Sequence, residues 1–413
     1  MGSLLLAHAA VAAENGQLFL ATQITTSSTA AYNGATYVSS TTEGQRSLPV
    51  PFAIRVTAAY AFCDSTPSAT VALSLRKNTS TTALCTIPAS GTIACSVTGL
   101  AVDYAIGDTL DITESTAVTT AVNCRVTLAY TVNGGSGAAD AILMGGALGA
   151  APSGTVYCGG WGTSGTTPGA PWSCNGATLT DAAILLPSGA TLSGLALTNS
   201  GNRATGASET FTITDRTPAD ADTAATLSGS VVFDHTHFNT NATCSSNCNL
   251  AAGDRLYITD VQSGTTSTLQ RRWAVSMDGV GALAWQTVAD ISVTNVYSGP
   301  MLANDNGAGP FIALQRVAAT SYAKNLQVRV DGTLTASVSV TLLTASTPGL
   351  VGATALTCST GTGSAQTCSD TRFDHEVTMN AGDYFVVAVV GGATQSGMML
   401  HWAIEMDGAP PPT

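Results

Sequence analysis

Two histidines one residue apart form the pair whose type and spacing most directly suggest chemistry. His235 and His237 lie in the segment 233–238, and side chains two positions apart on a strand point to the same face. Two imidazoles on one face hold a transition metal when a third ligand joins them. The alternative is a polar strand edge, which we favour because the related segment 373–376 contains only His375.

The usual catalytic motifs are missing from the sequence. It has no HExxH, no P-loop and no G-x-S-x-G elbow after a buried strand. The segment 160–165 matches G-x-G-x-x-G, but a surface loop is expected because Thr and Pro follow where a helix should begin. Asp220 and Asp222 lack the full set of oxygen ligands that calcium needs, so we expect a solvated loop there. We therefore expect no enzyme and no cofactor, and keep a hydrolase whose carboxylates meet only on folding as a third hypothesis.

The ten cysteines are an even set, which favours local disulfides over zinc. None has CxxC spacing, and the closest pair, Cys244 and Cys248, lacks a second half-site. Cys85 and Cys95 have the same spacing as Cys358 and Cys368, which a bridge across a hairpin would explain. Disulfides indicate a protein that works outside a reducing cytosol. The predicted pairs, which rest on the repeat described below, are Cys63–Cys124, Cys85–Cys95, Cys158–Cys174, Cys244–Cys248 and Cys358–Cys368.

Aromatic side chains cluster around the proposed Cys158–Cys174 loop. Tyr157, Trp161 and Trp172 lie beside or within it, and flat rings stack on the apolar faces of sugars. The loop is therefore the best candidate for glycan recognition. The alternative, which we favour, is a small satellite core beneath the loop.

The N-terminal segment 1–16 is apolar. Leu4, Leu5 and Leu6 open a stretch with no Lys or Arg before it, unlike a secretory signal. We expect an arm that packs on a neighbouring subunit, because an apolar tail needs a surface to bury it. An unusual export signal is the alternative.

Composition excludes several classes of protein. The chain has 14 Lys+Arg against 26 Asp+Glu, a formal charge of −12. Binding to nucleic acid through phosphates needs clustered cations, so no nucleic-acid partner is expected. A hydrophobic content of 45% with 10% charged residues argues against disorder. No apolar run reaches the roughly 18–20 residues of a membrane-spanning helix, so no membrane partner is expected.

Three parts of the chain end in the same way. A Gly-Asp step comes first, and glycine tolerates positive φ while aspartate bonds its own backbone, so each step predicts a tight turn that begins a strand. A closing strand follows, with its large residue and its alanine on opposite faces. The steps are Gly107-Asp108, Gly253-Asp254 and Gly382-Asp383, and the closing strands contain Leu128-Ala129, Trp273-Ala274 and Trp402-Ala403.

Short alternating segments such as 326–330 and 337–342 predict strands throughout. Repeats of about 130–145 residues fit an eight-stranded jelly roll, whereas an immunoglobulin-like sandwich needs about 100 residues and a Cys…Trp…Cys spacing. The expected fold class is all-β, with three tandem antiparallel β-sandwich (jelly-roll-like) domains stapled by disulfides. The expected divisions are an arm at 1–16, sandwiches at 17–134, 135–288 and 289–408, and a Pro-rich tail at 409–413.

The segments 73–78 and 84–87, with the Gly-Asp steps and the closing strands, resemble the jelly-roll repeats of bacteriophage virion proteins such as capsid decoration proteins, head fibres and tail-fibre modules. The resemblance implies a non-enzymatic virion structural protein that decorates or stabilises a phage capsid, or forms a head or tail fibre. It places the protein on the virion exterior, extracellular after lysis.

The resemblance also implies partners. These are the major capsid or other virion proteins, with Leu4, Leu5 and Leu6 as the anchor to the shell. It further implies a homo-oligomer, with a trimer favoured, or a pseudo-trimer made of the chain's own three domains. The alternative function is a secreted or surface carbohydrate-binding or adhesive protein, with glycan contact through the loop 157–172.

Overall fold

The structure is a computed structural model that describes residues 15–24, 31–33, 47–115, 118–133, 140–147, 155–158, 184–199, 208–231, 236–239, 248–263, 271–300, 305–306, 313–349 and 351–408. These residues form strands β1–β30 and one 3-10 turn, Phe373–His375, and no α-helix. The alternation of Val, Ile and Thr with small polar residues therefore predicts the local structure correctly.

Unit 1 contains nine strands in two antiparallel sheets. They are β1 (Asn15–Ile24), β2 (Ala31–Asn33), β3 (Leu48–Pro49), β4 (Ile54–Cys63), β5 (Val71–Lys77), β6 (Ser80–Ile87), β7 (Ala94–Tyr104), β8 (Thr109–Glu114) and β9 (Val122–Val132). One sheet has the order β1-β9-β4-β7, and the other has β2-β8-β5-β6 with β3 also on β8.

Unit 2 repeats this arrangement with ten strands. They are β10 (Asp140–Ala147), β11 (Thr155–Cys158), β12 (Ile184–Leu185), β13 (Ala190–Asn199), β14 (Ser208–Arg216), β15 (Asp222–Val231), β16 (Thr236–Asn239), β17 (Asn249–Leu250), β18 (Arg255–Ser263) and β19 (Arg271–Asp278). The sheets run β10-β19-β13-β16 with β17 on β13, and β11-β18-β14-β15 with β12 on β18.

Unit 3 repeats it again with eleven strands. They are β20 (Ala282–Ile291), β21 (Val296–Ser298), β22 (Asp305–Asn306), β23 (Gln315–Arg316), β24 (Ser321–Leu334), β25 (Val338–Ala345), β26 (Gly352–Ser359), β27 (Gly363–Asp370), β28 (Val377–Met379), β29 (Tyr384–Gly391) and β30 (Gln395–Asp407). The sheets run β20-β30-β24-β27 with β28 on β24, and β22-β21-β29-β25-β26 with β23 on β29.

The strand order decides between the two sandwiches that the sequence left open. In each unit the first strand lies beside the last, and the next strands pair with the strand before the last. This is the order of a jelly roll rather than of an immunoglobulin-like sandwich. The fold is therefore three tandem jelly rolls, as the repeats predict.

The division between units 2 and 3 differs from the predicted one. The predicted boundary at 288/289 falls inside β20, which pairs with β30 as far as Ile291. The units divide instead at 279–281, where Gly279 has a φ of 83° and a Cβ on Gly281 would lie 2.7 Å from the Met406 carbonyl oxygen. Because no change of composition marks this turn, the sequence alone misplaced it. Strand β1 likewise begins at Asn15, inside the predicted arm 1–16.

The three Gly-Asp turns have one geometry. The glycines have φ values of 95°, 84° and 97° at positions 107, 253 and 382. Each aspartate side chain accepts a hydrogen bond from the backbone N–H three residues earlier, at 2.7, 2.7 and 2.8 Å for Asp108, Asp254 and Asp383. The next residue begins β8, β18 or β29. The predicted turn is therefore confirmed three times.

Among the residues that the structure describes, three of the five expected disulfides are present: Cys63–Cys124, Cys85–Cys95 and Cys358–Cys368. Cys248 is also disulfide-bonded, whereas Cys174 and Cys244, from the pairs Cys158–Cys174 and Cys244–Cys248, lie outside the described residues. The hairpin explanation is wrong. Cys85 and Cys95 belong to β6 and β7, and Cys358 and Cys368 to β26 and β27, so each bridge joins the two facing sheets of a sandwich.

Candidate functional site

Most of the predicted site residues fall outside the described part of the chain. These are Leu4, Leu5, Leu6, Trp161, Trp172 and His235. His237 lies in β16 opposite Leu197, and Tyr157 lies in β11 opposite Thr259. The metal and glycan sites proposed for these residues therefore stay predictions.

The three units contact one another in a repeated way. The short strand β3 of unit 1 lies against β13 and β19 of unit 2, β12 of unit 2 lies against β24 and β30 of unit 3, and β23 of unit 3 lies against β4 and β9 of unit 1. Each contact joins different surfaces of the two units, and the third returns to the first unit. The units therefore form a closed head-to-tail ring. We call the contacts the 1–2, 2–3 and 3–1 seams.

The centre of the ring is lined by the same strand from every unit. The first strands β1, β10 and β20 contact one another there. A narrow cleft runs between them, lined by residues 17–19, 142–144, Leu283, Trp285 and Pro300. The ring thus has an approximate threefold axis, and one chain supplies all three positions around it.

The closing strands explain how neighbouring units approach closely. Trp273 and Trp402 are fully buried in their own units, while the next residue is an alanine on the opposite face. Ala129 packs with Ala318 of unit 3, and Ala403 belongs to the apolar cluster of units 1 and 2 rather than to that of unit 3. The small residue of the repeat therefore faces a seam.

The 1–2 seam contains an apolar patch. Leu48 and Val50, in and beside β3, are 1% and 0% exposed, and Ala274 on β19 of unit 2 is completely buried. One continuous apolar cluster contains these residues and the cores of both units.

The 2–3 seam contains a closed square of charges. Arg255 of unit 2 binds Asp331 of unit 3 at 3.2 Å, and Arg329 of unit 3 binds Asp220 of unit 2 at 2.9 Å. Arg255 also binds Asp220, and Arg329 Nε donates to Asp331 at 2.8 Å, which completes the square. His401 Nε2 lies 3.3 Å from Asp331. Asp220 is thus a seam residue, although its side chain is still 46% exposed, as expected for a solvated loop.

The two arginines of the square are buried, whereas the Asp220 side chain is 46% exposed. Arg255 and Arg329 are each 2% exposed, and burial lowers the pKa of Arg255 to about 10. Burial alone would raise the pKa of Asp331, but hydrogen bonds from His401 and Arg329 and their charges hold that pKa at about 2. Arg255 and Asp331 are therefore both charged at neutral pH.

A second polar group at the 2–3 seam surrounds Glu405. It accepts hydrogen bonds from Ser188 of unit 2 and, at 2.9 Å, from Asn325. The backbone N–H of Gly281, in the turn that joins units 2 and 3, donates to it at 3.2 Å. Glu405 therefore ties the joining turn to both units.

The 3–1 seam uses amides and one arginine. The Ala318 N–H of unit 3 donates to Gln17 of unit 1 at 2.7 Å, and Gln315 donates to Thr127 at 2.5 Å. The Thr127 hydroxyl in turn donates to the Arg316 carbonyl at 2.5 Å.

Arg316 forms the other half of this seam. Its guanidinium carbon lies 4.9 Å from the ring centroid of Tyr60 in unit 1 and 5.2 Å from that of Tyr384 in unit 3. Its Nη1 donates to the carbonyls of Ala61 and Cys95 at 3.4 and 3.2 Å. Cation–π contacts and main-chain carbonyls therefore hold the guanidinium between the units.

Within the ranges described, no three His, Cys, Asp or Glu side chains converge so as to hold a metal ion. No helix among the described residues is long and apolar enough to cross a membrane.

Comparison with known proteins gives only distant structural likenesses. No protein-family model and no curated protein matches the chain. A solved structure described as "The Triple Jelly Roll Fold and Turret Assembly in an Archaeal Virus" aligns with 95% of this chain and 90% of its own, with a TM-score of 0.17 and 9% identity. A TM-score this low carries no argument, so the jelly-roll assignment stands on the strand order.

Proposed function

We propose that this protein is a non-enzymatic structural protein of a virion that decorates or stabilises a phage capsid, or forms a head or tail fibre. The single observation that carries the proposal is the ring of three jelly rolls closed by three head-to-tail seams. The proposed partners are the major capsid protein or other virion proteins, and the proposed location is the virion exterior.

Symmetry links the ring to a shell. Closed protein assemblies use point-group symmetry, and a ring of three similar units presents three similar surfaces around one axis. Such a ring matches a threefold axis of a shell, where three copies of a capsid protein offer three similar contacts. One chain would then occupy a position that otherwise needs a trimer.

The proposed oligomeric state follows from the same ring. The sequence favours a homotrimer but also allows a pseudo-trimer of the three domains. Because the 3–1 seam already closes the ring within one chain, we propose the pseudo-trimer. Light scattering on the purified protein should give the mass of one chain, 41.5 kDa, and a mass three times larger would contradict it.

The build of the units suits a particle exterior. Disulfides join the two facing sheets in units 1 and 3, and such cross-links stabilise a sandwich chiefly by restricting its unfolded chain. The loops of unit 3 at the end away from the Gly-Asp turn, 292–295, 335–337 and 392–394, contain no charged residue. A durable unit with an uncharged end fits a role in contact and protection rather than catalysis.

The test is density-gradient fractionation of the source culture, with quantitative mass spectrometry of every fraction. We expect the protein to sediment with particles at a fixed ratio to the major capsid protein. The matched control is to add back the purified protein and Arg329→Ala, which breaks the 2–3 seam, to particles depleted of the protein. Wild type should rebind and the variant should rebind weakly. A protein that stays soluble, or that binds glycans through the loop 157–172, would overturn the proposal.

A further inference from the structure

The start of β7 has two partners that belong to different parts of the molecule. Cys95, the second residue of β7, is disulfide-bonded to Cys85 on β6 in the facing sheet. The carbonyl oxygen of the same residue accepts a hydrogen bond from Arg316 of unit 3 at 3.2 Å. One residue therefore connects a disulfide to a seam.

Apolar contacts reinforce this connection. Ile93 and Ala94, directly before Cys95, pack against a buried cluster that includes Tyr384 and Val386 of unit 3. The start of β7 is thus part of the surface on which unit 3 closes the ring. Among the described strands β7 is an edge strand that pairs with β4 alone. The disulfide therefore adds to the Arg316 hydrogen bond and these apolar contacts in holding its start, and edges with few attachments open locally.

The 3–1 seam depends on such contacts more than the other two. Unit 1 continues into unit 2 through residues 134–139, and unit 2 continues into unit 3 through residues 279–281. No connecting segment crosses the 3–1 seam within the described chain, so only side-chain and backbone contacts hold it closed.

Unit 3 offers a matched comparison. Cys358 and Cys368 have the same spacing and lie on β26 and β27, the counterparts of β6 and β7. Cys358 belongs to the apolar core cluster of unit 3, and Cys368 packs against that cluster. Apart from Phe19 of unit 1, the described members of this cluster all belong to unit 3. This second disulfide staples a sandwich without touching the described contacts of a seam.

We infer that the Cys85–Cys95 disulfide is a redox-controlled lock on ring closure. When oxidised, it holds the start of β7 where Arg316 and Tyr384 dock. A dithiol reductant gives two electrons and two protons to the bridge, which leaves two cysteine thiols, while the dithiol itself becomes a disulfide. The freed strand start then moves away from Arg316, and unit 3 separates from unit 1 more often. The ring therefore closes fully only under oxidising conditions, whatever surface it later binds.

Hydrogen exchange at one amide measures the lock directly. The Ala318 N–H donates across the seam to Gln17, so its exchange rate reports seam opening. We compare full-length wild type with Cys85→Ser/Cys95→Ser and with Cys358→Ser/Cys368→Ser. The first variant should exchange this amide about tenfold faster, and the second should stay within about twofold of wild type. Equal acceleration in both variants, or none in the first, overturns the inference.

The reciprocal experiment leaves both disulfides in place. Coupling between two sites acts equally in both directions, so a weakened seam must make the bridge easier to reduce. At equilibrium with a dithiothreitol redox buffer, the equilibrium constant for reducing Cys85–Cys95 in Arg316→Gln should be about tenfold larger than in wild type, and that for Cys358–Cys368 should be unchanged. Because Arg316→Gln keeps both disulfides, this experiment tests the inference even if Cys85→Ser/Cys95→Ser fails to fold. Unchanged reduction of Cys85–Cys95 would overturn the inference.

Discussion

The 1–2 and 2–3 seams have the same backbone arrangement and different chemistry. In each, a short strand beside the Gly-Asp turn lies against the closing strand of the next unit. The 1–2 seam contains the apolar side chains of Leu48, Val50 and Ala274 together with the buried Arg272. The 2–3 seam instead contains a square of two buried arginines and two aspartates. The repeat therefore specifies where units meet, and the side chains specify which units meet.

Three equivalent positions make this specificity visible. The residue before the large core residue of the closing strand is Thr127 in unit 1, Arg272 in unit 2 and His401 in unit 3, and all three are buried. Thr127 binds Gln315, and His401 lies beside Asp331. Swapping two units would place charge against apolar or amide groups, and a buried charge without its partner is costly. Differences between the seams thus fix the order of units in the ring.

Removing one arginine of the charge square in the 2–3 seam should have the largest effect on stability. Arg329→Ala removes one of the two buried cations that bind Asp220 and Asp331 and leaves only Arg255 bound to both. We therefore expect a cost of about 3 kcal/mol, at the lower end of the range for breaking a buried ion pair. We expect the free energy of unfolding to fall by that amount in urea denaturation. The control is Arg55→Ala, which removes an ion pair to Asp103 at 2.7 Å with both side chains about half exposed. That change should lower the free energy of unfolding far less, because solvent screens an exposed ion pair. Equal losses of free energy in Arg329→Ala and Arg55→Ala would show that the charge square stabilises the protein no more than an exposed ion pair does.

Lowering the pH should weaken the 2–3 seam by a smaller amount than Arg329→Ala does. The pKa of Asp331 is about 2 in the folded protein, below its usual value, so its contribution is fully present above about pH 4 and is lost as the pH falls through about 2. The loss amounts to about 2 kcal/mol, as an order of magnitude. Denaturation measured between pH 5 and pH 2 should show this decline, and Asp331→Asn should flatten it. The groups that face this carboxylate are Arg255, Arg329 and His401.

The apolar patch of the 1–2 seam should be sensitive to side-chain volume rather than to charge. Ala274→Leu adds bulk where β3 of unit 1 lies against the closing strand, and overpacking typically costs about 1–3 kcal/mol. We expect a lower free energy of unfolding with no change in its pH dependence. Ala355→Leu, at an exposed position of β26, is the control and should be nearly neutral. A pH-dependent loss in Ala274→Leu would mean that this patch is not the apolar contact described.

The sequence predicts the units well and the seams poorly. Gly-Asp steps and closing strands reveal the three jelly rolls because they serve contacts within a unit, at fixed spacing. The charge square joins Asp220, Arg255, Arg329 and Asp331, and its two halves come from loops and strands of different units. Arg329 and Asp331 are regular polar positions in the alternating segment of β24, so the pattern places them on the face away from the core of unit 3. No pattern in one chain, however, identifies Asp220 as the partner.

The 3–1 seam should show the smallest single effect and the most local one. Thr127→Ala removes a hydroxyl that accepts from Gln315 and donates to the Arg316 carbonyl. The amide of Gln315 stays buried without this partner, so we expect a loss of about 1–2 kcal/mol. Because the other seams are connected by the chain, the ring should open here first, and hydrogen exchange at Ala318 should accelerate while amides of the 2–3 seam stay protected. Thr127→Ser keeps the hydroxyl and should behave like wild type. If Thr127→Ala accelerated exchange equally at Gly281, which donates to Glu405 in the 2–3 seam, the seams would open together and the ring would act as one cooperative unit.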